Sequence, residues 1–590
     1  MNIHKKHYYR IGIVFGIVLL SSLYIVRTNL LETNILKSAL SDAADTGSTL
    51  KIQDNDQFTL ALGKYESNVT EPMSILINCW YDEAGEEYFL FVPSGLINDE
   101  LHWLYSGAEE VYIGNSRINN GEIYHRGSGI YEVRVCGQDY SNSFRLRIME
   151  SSAINTLFLT TDSGSLDYLH EAKSNSEGGE YTLYDQRGIC VAAGDIDEMH
   201  CRGNASWEDT DKKSYQLKLD KKADILGMGE AKKWLLLANA FDNTLLRDAT
   251  ALEMAQELNL AYTPQTEYVD LYINGDYAGN YLLTEKIEIG ENRVNIHNLE
   301  KEMKELNPDI ELKDTAFFME QTGRLFSTKG YMIDNEPQDI SGGYLLELEM
   351  SDRYGVEASG FITSRMQPVV FTSPAYASWN EVQYVAEKYQ DFEDALFEPD
   401  GFSPYTGAYY ADYIDMDSFA RKYLIEEVTK NLDAAFTSQY IYKPKDEIST
   451  RFYAGPAWDY DKAIAGSGIT QEGIDLHEAE GLYAAVQTKD SDIWYALYQH
   501  ADFRQCVADI YMNEMRNIIE EHASNRILQK ADMLLDSAMM NAERWDVFNE
   551  YQIVEEKEQE YYHKVWELID FLNKREVYLE DTWKGESVSE

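Results

Sequence analysis

The stretches SFARKYLIEEVTKNLDAAF at residues 418–436 and RFYAGPAWDYD at residues 451–461 decide how this chain is interpreted. In the first, apolar residues recur at three- and four-residue steps, which predicts an amphipathic helix that ends close to Asp433. In the second, a strand pattern runs into a loop that carries Asp459 and Asp461. The short strands between them permit a hairpin, so we expect all three carboxylates at one end of a lobe.

These residue types suit metal-assisted phosphoryl transfer. That chemistry needs carboxylates for Mg²⁺, a cation and a backbone loop for the nucleotide phosphates, and a carboxylate that accepts the proton of the acceptor hydroxyl. Asp459 and Asp461 alternate tightly, which suits a hard cation that prefers oxygen ligands. Asp433 is then left to orient or deprotonate a hydroxyl. Each aspartate alone is typical of a helix cap or a turn, and only their combination favours a site.

Candidates for phosphate binding come earlier in the chain. Arg202 and Gly203 lie between two predicted strands, where a glycine lets backbone N–H groups approach an anion and an arginine can contact phosphate. Lys213 and Lys218 lie on the next predicted strand at an odd separation, so they point to opposite faces and at most one should face a nucleotide. A simple turn glycine and solvated strand lysines are the alternative.

Two more ionisable residues, Arg247 and Glu285, are candidates for the nucleotide-binding site. Arg247 lies in the otherwise apolar helical stretch at residues 245–259 and needs an acidic partner if it is buried. Glu285 ends the strand that follows the pair Asn274-Gly275, and an Asn-Gly pair between alternating strands predicts a hairpin. In a bilobal kinase the chain crosses between lobes after such a strand. A plain hairpin strand with an exposed end is the alternative for Glu285.

Charge and cysteine content exclude several classes of protein. The chain of 590 residues has 51 Lys and Arg against 102 Asp and Glu, a formal net charge of −51. Such a surface repels phosphate backbones, so nucleic acid is not an expected partner, whereas cationic proteins, peptides and metal ions fit. The alternative is that the negative charge only keeps the protein soluble. The five cysteines form no C-x-x-C pair, so neither a zinc site nor a dense disulfide framework is indicated, although Cys190 and Cys201 could pair across a hairpin.

The N-terminus has the pattern of an export signal. Lys5, Lys6 and Arg10 precede the uncharged run at residues 11–26. We expect a retained signal anchor rather than a cleaved peptide. Positive charge on the cytoplasmic side then predicts a single-pass protein of the cell membrane, attached through its N-terminal helix, with the bulk of the chain extracytoplasmic.

The pattern along the chain predicts an α+β protein of several parts. Short strands such as SILINCWY and EYFLFVPS, spaced by turn residues, predict a small β-sandwich. Residues 297–340 are charged and irregular and are expected to form an insertion. The predicted parts are a signal anchor at 1–28, a linker at 29–57, the β-sandwich at 58–150, a main domain at 151–480 and a helical C-terminal region at 481–590.

Several stretches together resemble one family. They include CRGNASW at 201–207, KKSYQLKL at 212–219, YVDLYINGDYAGNYLLTEKI at 268–287, KNLDAAF at 430–436 and GPAWDYD at 455–461. In this order they are similar to the CotH family, the spore-coat-protein-H-like atypical kinases, over roughly residues 155–470. The resemblance implies a divergent bilobal protein-kinase-like domain, between the β-sandwich and the helical region, and phosphorylation of Ser in spore coat proteins.

By that resemblance, Asp433 matches the catalytic aspartate and Asp459 the metal-binding aspartate, with Asp461 beside it. Asn431 is the nearest candidate for a second metal contact. Its place two residues before the catalytic aspartate departs from the order in ordinary kinases, and no G-x-G-x-x-G loop is present. The implied cofactors are ATP and Mg²⁺ or Mn²⁺, and the implied partner is a basic, Ser/Thr-rich protein substrate, exported or on the surface.

Two functions of different classes fit these patterns. One is a protein kinase acting on Ser or Thr, and the other is a catalytically silent, CotH-like protein that works by binding. The chain has the carboxylates of Asp433 and Asp459 together with Arg202 and Glu285. Their presence favours the enzyme.

Overall fold

The computed structural model describes ten stretches of the chain: residues 50–53, 56–64, 75–83, 85–96, 101–138, 140–434, 437–466, 473–486, 493–548 and 553–585. Within these stretches, no helix combines the length and the apolar composition that crossing a membrane requires. For this part of the chain, the prediction of a single-pass, extracytoplasmic membrane protein attached through a helix is therefore wrong. The run at residues 11–26, on which it rested, lies outside the described residues, as does most of the predicted linker.

The predicted α+β class is confirmed, because the described stretches combine many strands with helices. The chain divides into two compact units: one comprises Met1–Glu198 and Val269–Asn280, and the other Met199–Tyr268 and Tyr281–Glu590. The part boundaries predicted from the sequence stay predictions.

The first unit begins with two sheets of short strands. In one sheet, β2 pairs with β1, β3 and β6; the other has the order β4-β5-β10-β9-β7-β8, and β10 runs parallel to β5. The strands are β1 Leu50–Gln53, β2 Asp56–Lys64, β3 Ile75–Asn78, β4 Trp80–Asp82, β5 Glu87–Pro93, β6 His102–Ser106, β7 Glu110–Ile113, β8 Ser116–Ile118, β9 Gly129–Cys136 and β10 Ser141–Ser151. Their alternating apolar residues, among them Leu62, Phe91 and Val133, are buried.

Seven further strands follow one another in a closed barrel of order β11-β12-β13-β14-β15-β17-β16. They are β11 Asn155–Thr161, β12 Ser176–Tyr184, β13 Cys190–Arg202, β14 Ser214–Asp224, β15 Glu230–Leu237, β16 Thr266–Ile273 and β17 Asp276–Glu285; the helices between them are α1 Asp167–Glu171, α2 Ala205–Glu208 and α3 Arg247–Glu257. Asn274 and Gly275 join β16 to β17 with positive φ values of 53° and 89°. Both residues of a type I′ turn have positive φ, so the predicted hairpin is confirmed.

A seven-stranded sheet of order β18-β19-β21-β22-β20-β23-β24 belongs to the second unit. Its strands are β18 Phe317–Glu320, β19 Ser327–Tyr331, β20 Tyr344–Leu348, β21 Gly360–Ile362, β22 Pro368–Ser373, β23 Gln439–Lys443 and β24 Tyr453–Ala454. The segment expected to be irregular at 297–340 contains β18, β19 and the helix α4 Leu299–Leu306. Some of its apolar residues, such as Leu299 and Met303, are buried despite the surrounding charge, and their burial favours an ordered helix.

The remaining helices follow in chain order: α5 Trp379–Leu396, α6 Tyr410–Tyr413, α7 Met416–Thr429, α8 Ile493–Gln499, α9 Ala501–Ile510, α10 Arg516–Glu521, α11 Ile527–Arg544 and α12 Val554–Trp583. Short π-helical turns lie on either side of α10. Helix α7 lies in the core, since all but one of its residues from Phe419 onward are buried. Its buried residues include the charged side chains of Lys422, Glu426 and Glu427, and a buried charge is tolerated only with a partner.

Candidate functional site

The first candidate residues, Asn431 and Asp433, come directly after helix α7, whose two ends are both well defined. Asp415 caps the start of the helix by accepting a hydrogen bond from the backbone N–H of Ser418 at 3.0 Å. The helix ends where Lys430 adopts the left-handed conformation with φ 46°. The ammonium group of Lys430 donates to the carbonyl oxygens of Glu478 and Glu480 at 2.5 and 2.8 Å. The predicted helix is confirmed, and this turn brings the following residues out of the helix.

The loop after β24 is held by bonds from several elements. The hydroxyl of Ser438 donates to Asp459 Oδ2 at 3.1 Å. The backbone N–H of Tyr460 donates to Asp248 Oδ1 on α3 at 2.7 Å, and the hydroxyl of Tyr460 donates to Glu426 Oε1 on α7 at 2.8 Å. Tyr460 therefore fixes the loop between α3 and α7. Its two neighbours in sequence are Asp459 and Asp461.

Four carboxylates, of which Asp248 is buried and the other three are half-buried, influence one another in this region. Burial, followed by the charges of Asp459 and Asp461, raises the pKa of Asp433 to about 8. Burial and the charge of Asp459 raise the pKa of Asp461 to about 7. The pKa of Asp248 is raised well above its ordinary value by burial and then by Asp461 and Asp459. The structure thus brings together the three aspartates predicted from the sequence and adds Asp248. We call these four residues the acidic cluster.

The cationic side chains of Lys462 and Arg202 border the acidic cluster. The charge of Lys462 lowers the pKa of both Asp433 and Asp461, and its ammonium group lies 4.2 Å from the ring centroid of Phe241. The guanidinium group of Arg202 lies over the ring of Trp458 at 5.4 Å from the centroid. Burial lowers the pKa of Arg202, and the charge of Asp459 opposes that shift. Arg202 is therefore brought to the acidic cluster, and its contact with phosphate stays a prediction.

The other phosphate-binding candidates have local roles. Gly203 has φ 92°, and a Cβ atom there would lie 1.9 Å from the hydroxyl oxygen of Ser206, so the turn before α2 needs a glycine. Lys213 precedes β14 rather than lying on it, and its ammonium group donates to the carbonyl oxygens of Trp207 and Thr210 at 2.7 and 2.5 Å. Lys218 lies within β14, opposite Lys233 of β15.

Arg247 and Glu285 both form buried ion pairs. Arg247 pairs with Asp242, the acidic partner that its burial requires, and its charge lowers the pKa of Asp461. It therefore borders the acidic cluster. Glu285 pairs instead with Arg293, and its second oxygen accepts from the backbone N–H of Gln265 at 2.9 Å. Burial is the main cause that raises the pKa of Glu285, and the pair with Arg293 opposes the rise.

Asn431 is buried beside the catalytic candidate. Its Oδ1 atom accepts from the backbone N–H of Asp433 at 3.3 Å, and its Nδ2 atom lacks a hydrogen-bond partner among the described residues. The amide oxygen is the atom that would ligate a metal, and it already has a donor. This arrangement makes Asn431 a weaker ligand candidate than the aspartates.

Sequence reasoning missed Asp248 and Lys462 as members of the site. Asp248 directly follows Arg247 in the apolar stretch of α3, and a second charge in such a stretch was the available signal. Lys462 directly follows Asp461, so a cation adjoins the paired carboxylates in the sequence itself.

The acidic cluster has the chemistry of a cation-binding region, although it is not a preformed cage. Among the described residues, no three His, Cys, Asp or Glu side chains are arranged so that they alone hold a metal ion. Mg²⁺ in phosphoryl-transfer sites is commonly bound by one or two carboxylates together with substrate phosphates. Burial, followed by repulsion from neighbouring aspartates, raises the pKa values of Asp433 and Asp461. A bound cation relieves that repulsion, so the donor set fits the ion.

Comparison with known proteins identifies the region that contains this site. The family described as CotH kinase protein matches residues 199–579, which include every candidate residue from Arg202 to Lys462. A search of curated proteins found no match to the chain.

Proposed function

Because the chain belongs to the CotH kinase protein family, we propose that it is an atypical protein kinase that transfers the γ-phosphate of ATP to Ser or Thr of a protein substrate. The observation that carries the proposal is the surplus of carboxylates over cations in the acidic cluster, whose members are at least half-buried. Such a surplus is stable only if protons or a bound cation compensate it. We also propose the divergent bilobal kinase-like arrangement for the matched region.

Asp459 and Asp461 are the residues that would hold Mg²⁺ or Mn²⁺, together with phosphate oxygens of ATP. When bound, the ion neutralises charge on the transferring phosphoryl group. Side-chain hydrogen bonds support this role, because the hydroxyl of Ser438 donates to one oxygen of Asp459, and Tyr460 anchors the loop between the two carboxylates through its own hydroxyl. Of the nucleotide-binding candidates, Arg202 has the best support, since it lies close enough to Asp459 for their charges to interact. Lys462 replaces Lys213, whose ammonium group is bonded to backbone carbonyls.

Asp433 is the proposed general base. Its burial gives its carboxylate a pKa of about 8, which makes it a stronger base than an exposed aspartate. Lys462 already lowers that pKa, and any further cation in the cluster moves it towards neutral pH. Asp433 would then accept the proton of the acceptor hydroxyl at a carboxylate oxygen. The net charge of −51 favours acceptor segments that are basic and rich in Ser or Thr.

The test is a titration with ATP and Mg²⁺ or Mn²⁺ that follows thermal unfolding. At about 100 times its Kd, the nucleotide should stabilise the protein by about 2.7 kcal/mol. Asp459→Asn should reduce this stabilisation, because it removes a negatively charged ligand of the ion. Asp570→Asn is the matched control: it makes the same change at a side chain that is 63% exposed and pairs with Lys574.

The control should keep the full stabilisation. If the wild-type protein is not stabilised by any combination of nucleotide and divalent cation, the kinase proposal is wrong, and a catalytically silent binding protein is the function to pursue.

A further inference from the structure

The backbone on both sides of Asp433 is held by side chains that come later in the chain. The hydroxyl of Tyr483 donates to the carbonyl oxygen of Leu432 at 2.8 Å. The indole Nε1–H of Trp494 donates to the carbonyl oxygen of Ala434, also at 2.8 Å. Both aromatic side chains are buried. Asp433, which would accept the proton, therefore lies between two backbone carbonyl groups whose positions are fixed by side chains from outside α7.

Tyr483 is in turn fixed by the carboxylate of Glu427, in the last turns of α7. The backbone N–H of Tyr483 donates to Glu427 Oε1 at 2.6 Å, and that of Ala485 donates to Oε2 at 3.3 Å. The hydroxyl of Tyr423 donates to Oε2 at 3.0 Å. Glu427 is fully buried, so these bonds form away from water and are strong.

Arg575 of α12 connects this arrangement to the C-terminal helix. Its Nη2 atom donates to both the backbone carbonyl and the carboxylate of Glu427, at 2.6 and 2.5 Å. Its Nη1 atom donates to the carbonyl oxygens of Ala479 and Gly481 at 2.7 and 2.6 Å. Arg575 is fully buried, so one arginine joins α12, the end of α7 and the segment that leads to Tyr483. A planar guanidinium group is suited to several fixed hydrogen bonds at once.

We propose that Tyr483, held by Glu427 and Arg575, is a positioning residue for Asp433. The inference rests on the proposed function, in which Asp433 accepts a proton. A general base must lie within hydrogen-bonding distance of the hydroxyl, and small displacements of a reacting group cost large factors in rate. Asp433 follows the left-handed turn at Lys430 and so lies beyond the hydrogen-bond ladder of α7. The hydrogen bond from Tyr483 to Leu432 restrains the backbone beside Asp433, which the hydrogen bonds of α7 do not restrain.

The test compares Tyr483→Phe with Tyr511→Phe. Each variant removes one buried tyrosine hydroxyl that donates to a backbone carbonyl at 2.8 Å, from Tyr483 to Leu432 and from Tyr511 to Glu576. Only the first bond adjoins Asp433. We expect Tyr483→Phe to lower kcat about tenfold with the KM for nucleotide unchanged. It should also speed amide hydrogen exchange in the segment 431–434. Tyr511→Phe should do neither.

The exchange measurement separates this inference from the kinase proposal. Unchanged exchange at 431–434 in Tyr483→Phe, or the same increase in both variants, overturns the positioning role whether or not the protein transfers phosphate. Faster exchange in Tyr483→Phe alone, with an unchanged kcat in an active enzyme, overturns its importance for catalysis. A wild-type protein that transfers no phosphate overturns the kinase proposal, and exchange still decides whether Tyr483 holds the segment.

Discussion

Two regions of the second unit contain buried charges and differ in how those charges are compensated. Around Arg575 and Glu427, the arginine and the carboxylate pair with each other, and backbone groups together with the hydroxyl of Tyr423 provide their other partners. In the acidic cluster, carboxylates repel one another, and the pKa values of Asp433 and Asp461 rise. Burial alone therefore does not identify a functional group. The ion pair of Arg575 and Glu427 stabilises the fold. The carboxylates of the acidic cluster outnumber the cations beside them, and a bound cation would neutralise part of that excess charge.

The largest expected effect comes from removing the carboxylate of Asp433, the proposed general base. Asp433→Asn keeps the shape of the side chain and cannot accept a proton as a carboxylate does. We expect it to lower phosphate transfer by roughly 10²–10⁴-fold, with little change in nucleotide affinity. The assay is transfer from labelled ATP to a basic, Ser-rich peptide or to the protein itself, with nucleotide binding measured in parallel. Transfer at the wild-type rate would show that the base lies elsewhere.

Breaking the compensated pair should affect stability instead. Arg575→Met leaves the carboxylate of Glu427 buried without its cation, and such losses cost about 3–5 kcal/mol in the free energy of unfolding. Chemical denaturation measures the change. The neighbouring Lys574→Met is the control, because Lys574 is 64% exposed and pairs only with an exposed aspartate, Asp570, among the described ion pairs. Equal effects of the two substitutions would contradict the assignment of Arg575 as a core residue.

The smallest expected effect is a dependence of stability on pH. The folded protein raises the pKa of Asp461 from 3.8 to about 7, so between these values the folded state binds the proton more tightly than the unfolded state does. Stability supplied by this group is therefore full below about pH 4 and is lost as the pH rises to about 7. Without divalent cations, Asp461→Asn should be more stable than wild type at about pH 8, by about 1–2 kcal/mol.

Denaturation of both proteins at about pH 4 and about pH 8 measures this difference. Adding Mg²⁺ or Mn²⁺ to the wild-type protein should recover part of the lost stability, because the ion compensates the same charges. If the stability of the wild-type protein rises between about pH 4 and about pH 8 as steeply as that of Asp461→Asn, this account of the acidic cluster is wrong.

The sequence was sufficient for the α+β class, for the helix α7 and for the hairpin at Asn274 and Gly275, because each depends on local periodicity or turn chemistry. It also placed three aspartates in one region, since the predicted helix and loop lie close together along the chain. Asp248 could not be found in this way, because it reaches the loop through the packing of α3 against Tyr460. The predicted site roles stay predictions.

Other expectations met physical constraints that local patterns do not contain. The role of Lys213 in phosphate binding stays a prediction, but its ammonium group donates to carbonyl groups of a turn, and their positions follow only from the folded backbone. The segment 297–340 was expected to be irregular because it is rich in charge, yet it contains a helix and two strands; it buries Leu299 and Met303, while other apolar residues such as Met319 are exposed. The membrane prediction depended on residues 11–26 alone, and no helix of the described stretches supports it.

The backbone at Asp459 restricts which replacements this position tolerates. Its φ of 69° lies in the left-handed region, where residues other than glycine, asparagine and aspartate are strained by about 1–2 kcal/mol. An alanine substitution at Asp459 would therefore remove the carboxylate and strain the loop at the same time. Its effect could not be assigned to the loss of the carboxylate alone. Replacement of Asp459 by asparagine or glycine removes its negative charge, and with it the repulsion of the neighbouring aspartates, without that backbone strain. A lineage that abandoned phosphate transfer while keeping the fold would be expected to carry one of them at this position.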